Sequence, residues 1–293
     1  MTTTPASTTP AQITENVMRS FDACPDPRLW ELLTELVRRL HGFAVDLRLT
    51  ETEWAAAIRF LTATGQKCDG TRQEFILLSD VLGLSMVVDA VNHERGGQAT
   101  ENTVLGPFYV EGMPDLPLGA NIARPGDGEP AHIRGRVRDP SGTPIAGAVV
   151  DVWQNADNGL YSVQDSDQAL DNLRGRFTTD AEGRYEFWAV RPTDYAIPYD
   201  GPVGQLLVAT GRHPWRPAHV HMIASGPGFD TVTTHVFDDQ SKYLDSDAVF
   251  GVKESLVRTF QPHEPAEAPA GAPETARSDR WWSLEFDFVL QPS

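Results

Sequence analysis

The feature that most constrains the fold is a change in the spacing of apolar residues near Thr103. Before this point apolar residues recur about every 3.6 positions, as on one face of a helix, and after it they alternate, as on one face of a strand. Glycine and proline also become frequent there, as in turns between short strands. We therefore predict an α+β protein, with a helical domain over residues 1–102 and a mainly antiparallel β-sandwich over residues 103–293.

The N-terminal part contains several signals that begin helices. Asp26 and Pro27 combine a capping side chain with a proline at the first helical position, and Thr-x-x-Glu capping boxes begin at Thr50 and Thr71. The helix after Thr71 is predicted to run through Val87 and is apolar around much of its circumference. It should therefore be buried by neighbours or by a second subunit. The Thr/Pro-rich first residues are predicted to be disordered.

The second part contains several segments with the pattern of half-buried strands. Residues 132–154 hold two strand-like runs around a Pro-Ser-Gly turn, and residues 184–190 follow an Asp-Ala-Glu-Gly turn. Two further runs within residues 218–237 flank a Gly-Pro-Gly turn, and apolar residues alternate over 282–290. Residues 261–276, rich in proline and alanine, are predicted to form an extended surface loop.

Charge and cysteine content exclude several classes of function. The 41 acidic residues against 24 Lys plus Arg give a net charge of -17, which repels nucleic acid and anionic lipid surfaces. No apolar run has the length of a membrane span, and the first residues do not resemble a signal peptide. With Cys24 and Cys68 as the only cysteines, we expect a reduced, cytoplasmic protein without nucleic acid or membrane partners.

The pair His219 and His221 is the sharpest chemical signal, because a strand sends residues two apart to the same face. Both imidazoles could then bind one metal ion. The same pair could instead be packed histidines with backbone or carboxylate partners. Further ligands would have to be carboxylates, as in an iron(II) or zinc site, or tyrosine phenolates.

Three of the six tyrosines, Tyr161, Tyr195 and Tyr199, stand in loop-like sequence rich in glycine, proline and aspartate. Loops on a sandwich are where binding sites are usually built. A phenol with an ordinary pKa of about 10 is a poor ligand until a strongly charged cation such as iron(III) stabilises the phenolate. The alternative is a loop tyrosine that packs its ring and hydrogen-bonds its hydroxyl.

Three segments carry these residues: VDVWQNADNGLYS, RPTDYAIPYDGPVGQLL and GRHPWRPAHVHMI. Together they resemble the intradiol ring-cleaving dioxygenases, and the likeness covers nearly the whole chain. The resemblance implies a ferric ion, Fe(3+), held by Tyr161, Tyr195, His219 and His221. It also implies catalytic roles for Tyr195, which would leave the metal as substrate binds, and for Arg216, which would stabilise negative charge on the substrate ring. The alternative for Arg216 is a surface salt bridge.

Within this family, the segments TENTVLGPFYVEGMP, YAIPYDGPVGQ and THVFDDQSKYLDSDAVFGVK are most similar to members that cleave hydroxyquinol, benzene-1,2,4-triol. Asp80 could accept a hydrogen bond from the third hydroxyl, which catechol lacks, or it could face solvent or cap a turn. His235 stands where catechol-specific members usually have another residue. The resemblance implies a substrate pocket lined by Leu77, Asp80, Val104, Leu105, Gly106, Pro107, Phe108, Ile197, Pro198, Arg216 and Val249.

The resemblance implies that hydroxyquinol and O2 react to give a hydroxymuconate, which tautomerises to maleylacetate. It also implies a homodimer formed through the N-terminal helices, with room for a phospholipid at the interface. One alternative is a catechol or chlorocatechol dioxygenase. Another is a non-enzymatic binding module, because GTPIAGAVVDVWQ followed by TDAEGRYEFWAV also resembles the small sandwich repeats of surface and transport proteins.

Overall fold

Two N-terminal helices, α2 (Pro27–Asp46) and α3 (Glu51–Lys67), begin where the sequence signals place them. The computed structural model describes residues 8–70, 72–93 and 99–293, so the disorder predicted for the first residues falls outside the described residues at positions 1–7. The prediction is wrong at the end of this tail, because Thr9 caps a helix that begins at Pro10. Residues up to Ala63 pack as one unit, which holds the helices α1 (Pro10–Arg19), α2 and most of α3. The Asp26 carboxylate accepts hydrogen bonds from the first turn of α2, and Thr50 forms the predicted capping box with α3.

The single helix predicted after Thr71 is wrong, because it is interrupted at Gly83. The structure has α4 (Glu74–Val81) and α5 (Leu84–Asn92) instead. Gly83 has a φ of 74°, a left-handed conformation that glycine adopts without strain and that ends a right-handed helix. Thr71 itself lies outside the described residues.

The start of α4 also differs from a capping box. The carboxylate of Glu74, which is fully buried, accepts hydrogen bonds from Arg72 Nε at 2.8 Å and from the backbone N–H of Val203 at 3.1 Å. Val203 lies in the first turn of α6 (Pro202–Ala209). Glu74 therefore satisfies a free amide at the start of another helix.

The rest of the second unit, which begins at Thr64, is built of strands. They are β1 (Asp115–Leu116), β2 (Pro130–Arg138), β3 (Val149–Trp153), β4 (Arg174–Thr178), β5 (Arg184–Val190), β6 (Tyr195–Ala196), β7 (Trp215–Arg216), β8 (His219–Ser225), β9 (Val232–Asp238), β10 (Val257–Arg258), β11 (Gln261–His263), β12 (Trp281–Glu285) and β13 (Phe288–Val289).

The strands form two main sheets. The first has the order β1-β4-β3-β8-β9-β10, and the second has the order β11-β12-β2-β13 with β5 also paired to β2. The predicted strand segments are confirmed, but β2 and β3 join different sheets, as do β4 and β5. Each of these short connections therefore crosses the sandwich.

Most strand pairs are antiparallel, as predicted, but the sheets are mixed because four pairs are parallel. The pairs β3–β4, β3–β8, β8–β9 and β2–β5 are antiparallel, whereas β1–β4, β9–β10, β2–β12 and β2–β13 are parallel. Parallel pairs arise where distant parts of the chain return to an existing strand, as the C-terminal strands do beside β2. The region predicted as an extended loop, 261–276, includes β11 and the start of the short helix α7 (Glu274–Ser278).

One apolar core lies between the two main sheets. Val152 and Met222 from the first sheet and Ile133, Phe187 and Leu284 from the second belong to the same buried cluster. This packing fixes β3, β8 and β9 relative to one another, and these strands carry the residues discussed below. No helix in the described residues is long and apolar enough to cross a membrane.

The predicted domain boundary at 102–103 remains a prediction. It lies in the segment between the end of α5 at Asn92 and the start of β1 at Asp115.

Candidate metal centre and active site

Aromatic and histidine side chains line up across β3, β8 and β9. Trp153 pairs with His221, and His221 pairs with His235, so the three side chains share one face of the sheet. His219 shares this face because it lies two positions before His221. The Nε2 atoms of His219 and His221 are 3.1 Å apart, as the strand geometry predicts.

The protonation of His219 is determined by its backbone partner. Its Nδ1 lies 2.7 Å from the carbonyl oxygen of Pro217, which can only accept, so Nδ1 donates and Nε2 keeps its lone pair. Burial, together with the charge of Arg216, lowers the pKa of His219 to about 3, so the imidazole is neutral near pH 7. A neutral imidazole held in this way is a good metal ligand.

Tyr161 and Tyr195 bring two phenol oxygens to the histidine pair. Tyr161 is fully buried, with its Oη 2.9 Å from His221 Nε2. Tyr195 on β6 pairs with Arg216 on β7, and Arg216 Nη1 lies 3.3 Å from Tyr195 Oη and 3.4 Å from His219 Nε2. Burial raises the pKa of Tyr161 well above its ordinary value, so its phenolate requires a nearby cation. Tyr199 is 60% exposed and does not contribute.

The buried donors suit a metal ion. Nδ1 of His221 and both ring nitrogens of His235 are buried without a well-formed hydrogen bond, although the backbone of Val104 approaches His235. An unsatisfied buried polar group costs about 1–3 kcal/mol, so such a cluster points to a bound ligand or ion. One atom from each of His219, His221 and His235 lies within 4.8 Å of the others. The donors could therefore be three imidazoles, or two imidazoles and two phenols.

Arg216 forms a buried ion pair instead of the surface salt bridge considered as an alternative. Its Nε and Nη2 lie 3.0 and 3.3 Å from the two carboxylate oxygens of Asp247, and both residues are almost fully buried. Burial alone would lower the pKa of Arg216, but Asp247 and the two tyrosines raise it, so the guanidinium stays charged. Sequence reasoning did not identify Asp247, because no spacing relates a residue 31 positions away to Arg216.

A cavity of about 430 Å³ lies close to the cluster, although the proposed metal ligands are not among the residues that line it. Among the predicted pocket residues, it is lined by Leu77, Pro107, Phe108 and Pro198. The Phe108 ring stacks on Tyr161 with a centroid distance of 4.6 Å, which links the cavity wall to a candidate metal ligand. Cavities of this size are typical of binding sites for small molecules.

The neighbouring loop approaches the histidines at Gly106. A Cβ on Gly106 would lie 3.3 Å from Cε1 of His221, and the residue has a φ of 76°. A side chain here would both crowd the imidazole and strain the backbone.

Asp80 on α4 is 6% exposed, so it does not face solvent. Burial raises the pKa of its carboxyl group, while a hydrogen bond from Ser85 and the charge of Arg216 lower it. Asp80 therefore lies within electrostatic range of the cluster.

The remaining predicted pocket residues differ in burial, and their contact with a substrate remains a prediction. Ile197 and Val249 are buried, Val104 is half-buried beside His235, and Leu105 is 44% exposed. The backbone N–H of Val249 donates to Asp247 at 3.2 Å.

Comparison with known proteins identifies the family. Residues 105–292 match the family model described as dioxygenase, and residues 26–100 match the model for the catechol dioxygenase N terminus. The chain is 51% identical over 278 residues to the hydroxyquinol 1,2-dioxygenase of Rhizobium sp. (strain MTP-10005), covering 94% of this chain and 93% of the relative. The chain belongs to the intradiol ring-cleavage dioxygenase family. It is therefore an enzyme, and the non-enzymatic binding module is excluded.

Solved structures of intradiol dioxygenases share the fold. The structure of hydroxyquinol 1,2-dioxygenase from Pseudomonas putida DLL-E4 superimposes with a TM-score of 0.89 at 49% identity, covering 97% of this chain and 99% of that one. The catechol 1,2-dioxygenase from Pseudomonas arvilla C-1 gives a TM-score of 0.81 at 31% identity, covering 96% and 91%. Intradiol dioxygenases are non-haem iron enzymes, and the cluster of His219, His221 and His235 could hold a metal ion.

Proposed function

We propose that the chain is a hydroxyquinol 1,2-dioxygenase, which uses O2 to cleave benzene-1,2,4-triol between its adjacent hydroxyls. The observation that carries this proposal is the convergence of two phenols and two imidazoles beside a cavity of about 430 Å³. The higher identity to hydroxyquinol dioxygenases than to the catechol enzyme supports this choice of substrate. The product would be a hydroxymuconate, which tautomerises to maleylacetate.

We assign the metal site to Tyr161, Tyr195, His219 and His221, with Fe(3+) as the ion. Phenolate oxygens suit a hard trivalent cation, and the fixed tautomer of His219 presents a lone pair to it. When bound, ferric iron supplies Lewis acidity to a chelated diolate and a template for the reaction with O2. His235 would then lie beside the ligand set without belonging to it.

Arg216 and Tyr195 carry the remaining catalytic roles. The Arg216 guanidinium is kept charged by Asp247 and lies beside both Tyr195 and His219, where it can stabilise negative charge on the substrate. Tyr195 lies on a two-residue strand, and as a tyrosinate its Oη could take up a proton that the diol releases on binding.

Asp80 supports the choice of a triol. Its carboxylate is buried and has no cation in direct contact among the described residues. It can therefore accept a hydrogen bond from a third ring hydroxyl. A site built to hydrogen-bond a hydroxyl disfavours the analogue that lacks it, because its polar group is then left unpaired.

We also propose a cytoplasmic homodimer. Cys24 and Cys68 are unpaired, as expected in a reducing compartment. Several large apolar side chains of α2 are about half exposed, which suits a subunit interface with room for a phospholipid.

A visible spectrum with and without hydroxyquinol tests the metal assignment. Tyrosinate-to-iron(III) charge transfer should colour the purified protein reddish, and hydroxyquinol should change the band. Tyr161→Phe and His221→Ala should each lose the absorption together with bound iron. Tyr199→Phe is the matched control, since Tyr199 is exposed, and it should keep both. A colourless metalloprotein would favour the three-histidine donor set instead.

Comparative kinetics on hydroxyquinol, catechol and chlorocatechols test the substrate. We expect the highest kcat/KM for hydroxyquinol. Faster turnover of catechol or a chlorocatechol would replace the proposed substrate while leaving the metal assignment intact.

A further inference from the structure

Arg174 is a buried cation without an acidic partner in the described part of the chain. Its side chain is 2% exposed, and its Nη2 is buried without a hydrogen-bond partner. By contrast, the buried Arg216 contacts the carboxylate of Asp247, and the half-buried Arg72 contacts that of Glu74. A buried guanidinium is expensive unless a negative charge compensates it, so Arg174 calls for such a partner.

Arg174 extends the line of side chains that holds the candidate metal ligands. On β4 it pairs with Trp153, which in turn pairs with His221 on β8. Paired residues share a face of the sheet, so Arg174 faces the same side as His221. The Trp153 ring stacks on the His221 ring at a centroid distance of 4.7 Å. Arg174 is thus two strands away from one proposed ligand.

Arg174 is also tied to the residue that follows another proposed ligand. Its Nε donates to Ser162 Oγ at 2.8 Å, and Ser162 Oγ donates to the carbonyl of Leu170 at 2.9 Å. Ser162 directly follows Tyr161 in the chain. This contact fixes the position of Arg174 relative to the backbone that carries Tyr161.

The charges of Arg174 and Tyr161 influence each other's pKa, in agreement with these contacts. Burial lowers the pKa of Arg174 to about 10, and Tyr161 is the group that opposes this shift. Conversely, Arg174 is one of two arginines whose charge lowers the pKa of Tyr161, the other being Arg216.

We propose that Arg174 is a positioning residue for the metal centre, whose buried charge compensates the tyrosinate of Tyr161 and whose bond to Ser162 holds that tyrosine in place. The proposal rests on the assignment of Tyr161 as a ligand. Arg216 acts on the opposite part of the cluster, beside Tyr195 and His219. The two proposed tyrosinates would thus each have a buried arginine.

The charge-transfer band and the retention of iron test this role without relying on turnover. A nearby cation lowers the energy of the phenolate electrons, so removing it should reduce the energy of charge transfer from Tyr161 to iron(III). We expect Arg174→Gln to shift the band to longer wavelength and to lose iron to a chelator about ten times faster than the parent, as for other outer partners of metal ligands. Arg174→Lys should restore part of both properties, since it keeps the charge.

Arg176→Gln is the matched control. Arg176 lies two residues later on β4, is 40% exposed and pairs with Asp115, so its substitution should leave the band and the rate of iron loss unchanged. Ser162→Ala removes the anchor and keeps the guanidinium, and it should lose iron a few times faster than the parent.

The outcomes separate this inference from the proposed function. A parent protein without iron or colour would contradict the proposed function itself. A coloured parent whose Arg174→Gln variant has the same band and the same rate of iron loss would overturn the inference, even if the variant melts at a lower temperature. If Arg174→Gln does not fold, Ser162→Ala and Arg174→Lys decide, and parental iron retention in both would overturn the inference.

Discussion

Substitution of Arg216 alone should affect both turnover and the stability of the fold. Arg216 is proposed to stabilise negative charge on the substrate, and it also neutralises the buried carboxylate of Asp247. Arg216→Ala should therefore lower kcat about 100-fold or more while iron remains bound, as expected for the loss of one charge-stabilising donor. It should also destabilise the fold by about 3–5 kcal/mol, because Asp247 is left buried and unpaired.

Removing both partners separates the two effects. The double variant Arg216→Ala/Asp247→Ala no longer buries an unpaired carboxylate, so it should regain much of the lost stability in urea unfolding without regaining turnover. Iron content and kcat are measured on both variants. Parental kcat in either one would remove Arg216 from the catalytic assignment.

We expect Asp80 to lower the stability of the fold and to raise the preference for hydroxyquinol over catechol. Burial raises the pKa of its carboxyl in the folded protein, so the ionised form destabilises the fold once the pH exceeds the unfolded pKa of about 3.9. Asp80→Asn keeps an acceptor for Ser85 and removes the charge. We expect a higher Tm than the parent at pH 8, with the gain shrinking as the pH falls towards 4. The ratio of kcat/KM for hydroxyquinol to that for catechol should fall, and an unchanged ratio would exclude Asp80 from substrate recognition.

At the residue scale, physical reasoning from the sequence could predict some residues of the candidate site but not others. The pairing of His219 with His221 follows from strand geometry, whereas the positions of Tyr161 and Tyr195 were implied only by resemblance to a family. Asp247 and the burial of Arg216 could not be predicted, because they depend on a contact between residues 31 positions apart. Local patterns describe which face a side chain occupies and not which distant residue meets it.

At the scale of elements, the left-handed conformation of Gly83 separates α4 from α5. Its φ of 74° makes a side chain unfavourable there, and a Cβ would also contact the Phe250 ring at 3.4 Å. Gly83→Ala should destabilise the protein by about 1 kcal/mol. Gly42→Ala is the matched control: this glycine lies within α2, and a Cβ added to it would meet no described atom within 4 Å, so alanine should stabilise by about 0.5–1 kcal/mol. Equal effects in thermal unfolding would contradict this account.

The elements were predicted better than their pairing. Alternating apolar residues located the long strands, since alternation reports one buried face. It does not report which strand lies alongside, so the separation of β2 from β3 and the parallel pairs beside β2 could not be foreseen. The break at Gly83 was missed because an apolar run continues through it and a lone glycine does not itself reveal a positive φ.

At the scale of the whole molecule, the N-terminal helices present more apolar surface than a lone chain needs. Leu32, Leu36 and Leu40 on α2 are 51%, 53% and 56% exposed. Their spacing of four places them along one side of the helix. Full burial of an exposed leucine contributes about 1.5–3 kcal/mol, so covering the exposed half of each of these three side chains would contribute roughly half of that per leucine to the binding of a partner.

A test of the dimer follows from this surface. Leu36→Glu/Leu40→Glu replaces two of these side chains with charges that would repel one another across a two-fold interface, so sedimentation velocity should show monomers where the parent is dimeric. The iron content should stay at the parental level, because the proposed ligands all belong to the unit that begins at Thr64. Val208→Glu, at a residue that is 76% exposed on α6, should stay dimeric. A dimeric double variant, or a monomeric Val208→Glu, would place the subunit contact on another surface.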